Sequence, residues 1–138
     1  MQTELSSGTK PPITLIDSEA DALADLAHAS LGRSSLAAGL LLQEIYRAST
    51  TPPADMPGDV VTMQSHVEFI DEASGDTHSV ELVYPRNADM EQHRLSVLTP
   101  VGAGLIGMRC GDSIDWPNRL GTYRRLRIVK VTQPGQSD

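Results

Sequence analysis

Three glycines in the C-terminal half of the chain have the spacing of a phosphate-binding loop. Gly102, Gly104 and Gly107 match the pattern G-x-G-x-x-G, in which backbone N–H groups at a helix N-terminus hold the phosphates of a dinucleotide. That chemistry requires a parallel βαβ unit, a helix of several turns and an acidic residue about 20 residues further on. Here Gly111 ends any helix after about two turns, and the required acidic position falls near Thr122, in a basic stretch. The surrounding sequence therefore favours a structural role for these glycines.

The residues around the glycines predict a short helix that packs closely against its surroundings. Pro100 suits the first turn of a helix, because the N–H that proline lacks has no partner there. Small residues follow at Gly102, Ala103 and Gly104, and an apolar run occupies 105–108. Small side chains permit close approach, so we expect this helix to lie against a sheet or a partner protein.

Histidine and cysteine give little support for a metal site or a covalent mechanism. The four histidines lack the i, i+3 or i, i+4 helical spacing of metal ligands, although His66 and His78 can approach each other across a hairpin. The single cysteine, Cys110, follows Arg109, and a neighbouring cation favours the reactive thiolate, but no histidine lies near it in sequence. We therefore expect no catalytic residue, no bound metal and no cofactor.

A basic cluster near the C-terminus is a second candidate for binding. Arg124, Arg125 and Arg127 lie in a stretch, 119–130, that contains no acidic residue, whereas the whole chain has a net charge of −7. Such a cluster can contact phosphates or an acidic protein surface, or it can be the solvated face of an edge strand. Few aromatic residues accompany it, so we do not expect sequence-specific recognition of nucleic acid.

Composition predicts a soluble cytoplasmic protein. The 138 residues suffice for one ordinary domain, or for one domain and a small appendage. A single cysteine cannot form an internal disulfide, which fits a reducing compartment. The first residues are polar, and no segment has the roughly 20 apolar residues of a membrane-spanning helix. We expect a monomer with no membrane partner.

Two helices are predicted before any strand-rich region. Asp17 or Ser18 suits the N-cap of the first helix, and apolar residues then recur at helical spacing. Ser34 or Ser35 suits the N-cap of the second, and residues 13–50 then form an antiparallel helical hairpin.

Beyond a Pro-rich segment, the apolar period changes to that of strands. Strands are expected at 61–69, 79–84, 95–98, 113–116 and 122–131. We therefore predict an α+β protein, in which the helical hairpin is followed by an antiparallel sheet domain with one short helix. The expected organisation is a flexible lead-in, the hairpin, a linker, the sheet domain and a tail, with bounds 1–12, 13–50, 51–58, 59–132 and 133–138.

Several sequence phrases, taken in order, resemble one protein family. Residues 58–67 read GDVVTMQSHV, and LVYP follows at 82–85. The stretch 95–108 reads LSVLTPVGAGLIGM, and GDSI closes the series at 111–114. With the helical hairpin before them, these phrases resemble the Gre transcript-cleavage factors over about residues 13–131. Within that family, DVVTM and LVYP are most similar to the Gre-like branch called regulators of nucleoside diphosphate kinase (Rnk).

The resemblance implies a fold, a partner and a set of contact residues. It implies an FKBP-like C-terminal domain that docks on RNA polymerase at the rim of the secondary channel, with the hairpin pointing toward that channel. In the family, the docking surface includes the Ser-Pro-hydrophobic start of the short helix, where this chain has a threonine in place of the serine. The expected docking contacts are Thr99, Pro100, Val101 and Leu105, and the weaker electrostatic candidates are Arg124, Arg125 and Arg127.

The hairpin departs from the pattern that transcript cleavage needs. Gre factors cleave with paired acids that hold a catalytic magnesium ion at the tip of a long coiled coil. Here, helices of about 12 to 15 residues reach only roughly 20 Å. The tip, 28–33, has no acidic residue, the nearest being Asp25. The resemblance therefore implies a non-enzymatic regulator of transcription elongation that competes with Gre-type factors.

Two alternatives stay open. An FKBP-like fold can belong to a peptidyl-prolyl isomerase, although that activity needs an aromatic-lined pocket and this chain has one Phe and one Trp. The chain can also be an interaction module whose partner is not polymerase.

Overall fold

A helical hairpin is followed by a curled five-stranded sheet with one short helix, so the expected fold class is confirmed. The computed structural model describes residues 10–33, 35–118 and 120–136. Predictions for 1–9, Ser34, Arg119 and 137–138 lie outside the described residues. The helices and strands are β1 (Thr14–Ile16), α1 (Asp17–Ser30), α2 (Ser35–Arg47), β2 (Ser49–Thr51), β3 (His66–Asp71), β4 (Asp76–Val83), β5 (Arg94–Ser96), α3 (Pro100–Leu105), β6 (Ser113–Pro117) and β7 (Tyr123–Thr132).

The hairpin is closed at its base by two short strands. β1 and β2 enter and leave the helix pair and form a parallel ribbon, in which Leu15 is opposite Thr50. The first helix begins at Asp17, and Ile16 occupies its N-cap without a side-chain hydrogen bond. Asp17 and Ser18 therefore lie inside the helix and not at its cap, and the acids of the first turn stabilise it through the helix dipole.

The five-stranded sheet has the order β5-β4-β3-β7-β6 and is antiparallel except at one edge. There β5 runs parallel to β4, because a long connection with two 3₁₀ turns (Pro85–Asn87 and Met90–Gln92) brings the chain back to Glu81, so that β5 pairs with the last three residues of β4 in the same direction. The sequence predicted an antiparallel sheet, and β5 departs from that prediction because its direction depends on the path of this connection.

The strand predicted at 61–69 begins only at His66. A turn precedes it, in which the N–H of Thr62 donates to Ser65 Oγ at 2.9 Å and Gln64 has a positive φ of 67°. The apolar residues in and before this turn are buried all the same. Their alternation therefore reflects burial and not an extended backbone.

One hydrophobic core spans the hairpin and the sheet. Leu23 and Leu41 from the hairpin belong to the same buried cluster as Leu82, Ile106 and Ile114 from the C-terminal part. The Pro-rich segment therefore does not separate two cores, and the domain bounds given above stay predictions. Within the described ranges, no helix is long and apolar enough to cross a membrane.

Close packing of α3 accounts for the glycines of the G-x-G-x-x-G pattern. A Cβ on Gly102 would overlap the carbonyl oxygen of Ser96, and a Cβ on Gly104 would lie 2.7 Å from Cε2 of Trp116. Gly107 has a φ of +82°, which side-chain-bearing residues rarely adopt. The glycines therefore allow α3 to lie against the sheet, as the small-residue pattern predicted.

We expect Gly104→Ala to lower the free energy of unfolding by about 1–3 kcal/mol, because the added methyl group forces the Trp116 ring to move. Gly39→Ala is the matched control, since a Cβ at Gly39 in α2 meets nothing within 4 Å. The control should raise the same quantity by about 0.5–1 kcal/mol. Urea unfolding of both variants measures the two values. Equal stability of the two variants would contradict the packing argument.

Candidate docking surface

The N-terminus of α3 places residues 99–101, which we call the docking segment, at the protein surface. Pro100 is the first helical residue, as predicted, and Thr99 is the N-cap. The Thr99 hydroxyl donates to the carbonyl of Ser96 at 2.7 Å and accepts from the N–H of Gly102 at 3.0 Å. Thr99, Pro100 and Val101 are each partly exposed. Capping therefore fixes the backbone of the segment and leaves its side chains within reach of a partner.

A groove of about 670 Å³ runs beside the docking segment. Its walls are largely apolar, and Met90, whose side chain is 60% exposed, stands at its rim. Such a groove can accept apolar side chains from another protein. The sequence analysis predicted neither a strand nor a binding role at Met90. The signal that could have shown such a role was an apolar methionine among the polar residues between two predicted strands. The lining residues are Ala88, Asp89, Met90, Arg94, Leu95, Ser96, Leu98, Thr99, Pro100, Val101 and Asn118.

Leu105 does not belong to this surface, although it was expected among the docking contacts. Its side chain is 0% exposed and forms part of the hydrophobic core. The reason is the close packing of α3, which buries the helix from Gly102 onward and leaves only its first turn accessible. In this structure Leu105 supports the docking segment from within.

Ion pairs neutralise much of the predicted basic cluster. Arg125 lies 3.3 Å from Glu72 and 3.1 Å from Asp115, and Arg127 lies 2.8 Å from Glu72. Exposed pairs of this kind each contribute roughly 0.2–1 kcal/mol to stability. Because the acids are far away in sequence, the composition of 119–130 gave no sign of them. The outer face of β7 is therefore a mixed-charge surface and not a basic patch.

Arg124 lies on the other face of β7. Its guanidinium is 3.0 Å from Oδ2 of Asp71. Burial alone would raise the pKa of Asp71, but hydrogen bonds from Arg124 and from the backbone of Ala73 and Ser74 outweigh it, so this pKa is lowered. Arg124 also lines a pocket of about 310 Å³ together with Val101. It is therefore placed beside the docking segment, in an ion pair.

The tip of the hairpin carries apolar side chains. Leu31 and Leu36 are 40% and 47% exposed there. Helices of 14 and 13 residues give the hairpin a reach of roughly 20 Å. Between α1 and α2 the structure describes residues 31–33, which include no carboxylate. Across the described ranges, no group of three or more His, Cys, Asp or Glu residues could hold a metal ion.

The two histidines that the sequence placed across a hairpin do not meet. His66 is opposite Glu81, with Nε2 and Oε1 3.9 Å apart, whereas His78 is opposite Phe69 and stacks on its ring at 5.1 Å. They occupy different positions along the β3–β4 pair, so they cannot share a ligand.

A half-buried acid links the hairpin to the turn that precedes β3. Glu19 in α1 accepts a hydrogen bond from the N–H of Met63 at 3.1 Å. Burial raises the pKa of Glu19, and the hydrogen bond from Met63 opposes this only in part. The sequence indicated a favourable first-turn acid here, but the contact with Met63 could not be read from it.

We expect Glu72→Gln to make the outer face of β7 more basic, because the change frees Arg127 and leaves Arg125 with Asp115 alone. On a heparin column, this variant should elute at higher salt than the unmodified protein. Glu91→Gln removes the same charge from an exposed 3₁₀ turn and is the control. Equal elution of the two variants would show that the ion pairs do not mask the arginines.

Comparisons with known proteins agree with the motifs and with the geometry. The family model "Transcription elongation factor, GreA/GreB, C-term" matches residues 56–133. The chain is 35% identical over 123 residues to the regulator of nucleoside diphosphate kinase of Escherichia coli (strain K12), covering 89% of this chain and 90% of that protein. It is 33% identical over 135 residues to the transcription elongation factor GreA of Acidiphilium cryptum, covering 92% and 85%.

A solved structure has the same architecture. The prokaryotic transcription elongation factor GreA/GreB from Nitrosomonas europaea superimposes with a TM-score of 0.66 at 35% identity, covering 89% of this chain and 99% of that one. The family model covers the β3-to-β7 sheet together with α3, and the two relatives extend the match across most of the hairpin. This chain belongs to the GreA/GreB family of transcription factors.

Proposed function

We propose that the protein binds RNA polymerase at the rim of the secondary channel and regulates elongation there without cleaving the transcript. The observation that carries this proposal is the docking segment, residues 99–101, which α3 holds partly exposed at the edge of an apolar groove. The family resemblance implies that it corresponds to the Ser-Pro-hydrophobic segment by which Gre factors dock. The proposed contacts are Thr99, Pro100 and Val101, with Arg124 beside them.

The surface favours recognition by shape and apolar contact. Met90 and Val101 both line the groove with apolar side chains, whereas the nearby Arg94 and Arg124 are in ion pairs. Binding that relies on apolar burial depends less on salt than binding that relies on free arginines. We therefore assign the weaker electrostatic role to Arg124 alone, since Arg125 and Arg127 lie on the opposite face of β7.

The hairpin supports a role other than cleavage. A catalytic magnesium ion needs carboxylate ligands, and the described part of the tip offers leucine side chains and Arg33 instead. Bound at the rim, a hairpin that reaches roughly 20 Å would occupy the channel entrance. The protein would then compete with Gre-type factors for the same docking site.

The isomerase alternative has little support from the site. Trp116, the single tryptophan, is 1% exposed and lies beneath α3. Trp116 reaches one wall of the pocket of about 310 Å³, but that wall also carries charged residues such as Asp71 and Arg124. The pocket is therefore not the aromatic-lined site that a substrate proline would need.

Pro100→Arg is expected to weaken binding to core RNA polymerase at least tenfold, because it places a long charged side chain in an apolar contact. Ala54→Arg adds the same side chain at an exposed 3₁₀ turn outside the groove and should bind normally. Titration of labelled protein with core polymerase gives both affinities. A GreA-type factor should displace the unmodified protein in the same assay. Absence of binding, or equal affinities of the two variants, would refute the proposal.

Transcript cleavage is tested on stalled elongation complexes. We expect this protein to leave the transcript intact at concentrations at which a Gre factor shortens it, and to inhibit the Gre factor when both are present. The physical reason is the missing pair of tip carboxylates. Shortened transcripts with this protein alone would contradict the non-catalytic role.

A further inference from the structure

A buried carboxylate at the base of the hairpin is held by two cations. Glu44 in α2 is fully buried, and Arg47 approaches it at 2.6 Å and 3.1 Å. Arg47 also donates to the carbonyl of Pro11, in the segment that leads into β1. Lys10 precedes Pro11 in the chain, and its Nζ lies 3.4 Å from Oε2 of Glu44. A buried charge is stable only when it is paired, so this arrangement fixes residues 10–11 against α2.

The same lysine also contacts the C-terminal part of the molecule. Lys10 Nζ lies 5.3 Å from the centre of the Trp116 ring, within the range of a cation–π interaction. Its side chain is 29% exposed, so the ammonium is partly withdrawn from water, which strengthens the attraction. One side chain therefore joins α2 to β6.

Trp116 carries the connection to the docking segment. Its indole N–H donates to the carbonyl of Pro100, and its ring fills the space that Gly104 leaves open. The Trp116 side chain thus supports the first turn of α3 from below, in addition to the Thr99 cap. A continuous series of contacts leads from the hairpin to the docking segment, through Glu44, Lys10, Trp116 and Pro100.

We infer that Lys10 and Trp116 are positioning residues for polymerase docking, since they fix the first turn of α3 in relation to the hairpin. This inference rests on the proposed function. A polymerase that binds residues 99–101 then contacts a helix start whose orientation is already fixed. The hairpin also lies at a fixed angle to these residues. Preorganisation of this kind increases affinity without adding a contact to the partner.

The test uses the full chain with three lysine variants. Lys10→Gln removes the cation and should weaken polymerase binding about three- to tenfold. Lys10→Arg keeps the charge and stacks well on tryptophan, so it should restore binding. Lys130→Gln removes a lysine charge from β7 and should bind normally. Thermal unfolding of each variant shows that affinities are compared between folded proteins.

A second readout does not depend on the partner. In the free protein, the backbone amide NMR signals of Val101 and Gly102 should move in Lys10→Gln and stay in place in Lys10→Arg and Lys130→Gln. Trp116→Phe, which removes the N–H but keeps an aromatic ring, should move the same signals. Adding Lys10→Gln to Trp116→Phe should change affinity little further, because Lys10 acts on α3 through the indole N–H that Trp116→Phe has already removed.

The outcomes separate the two proposals. If the unmodified protein does not bind polymerase, the proposed function fails, and the amide signals alone still decide whether Lys10 positions α3. If the protein binds but Lys10→Gln binds equally well, the positioning role in docking is wrong. If the amide signals of Val101 and Gly102 stay in place in Lys10→Gln, the connection from Lys10 to α3 is wrong in either case.

Discussion

The close approach of α3 to the sheet is the constraint on which the other features depend. Without side chains at Gly102 and Gly104, the helix lies against the 96–97 backbone and the Trp116 ring. This distance lets the indole N–H reach the carbonyl of Pro100. It also buries the helix after its first turn, so that residues 99–101 remain as the accessible part. The pattern that first suggested a phosphate loop is thus the condition for the surface at which we propose that a partner docks.

Features set by local sequence could be predicted, and features set by distant partners could not. The two long helices follow from apolar periodicity, and the start of α3 follows from the fixed φ of Pro100. The start of β3 did not follow, because a turn closed by Ser65 precedes it. Leu105 was misplaced for a related reason: an apolar residue one turn into a short helix looks the same in sequence whether it faces a core or a partner.

The arginines of β7 show most clearly that neighbours in the sequence do not reveal which residues meet in the fold. The arginines of β7 stand together in the chain with no acid between them, yet folding brings Glu72 and Asp115 to Arg125. The result is a surface with little net field, on a protein whose overall charge is negative. Long-range attraction to an anionic partner is therefore weak. On the proposed function, specificity comes from the fit of apolar side chains at close range.

The hydrophobic core that the hairpin shares with the sheet makes this short helix pair stable and rigid. A helix pair of this size is marginal in isolation, but Leu23 and Leu41 pack in the same cluster as residues of the sheet, and Glu19 bonds to the backbone of Met63. The hairpin is therefore a rigid extension of the docking domain. On the proposed function, a rigid and short extension with no carboxylate at 31–33 would fill a channel entrance and would not carry a catalytic metal ion. Under the same proposal, the hairpin then affects transcription through its position at the channel entrance and not through a reaction.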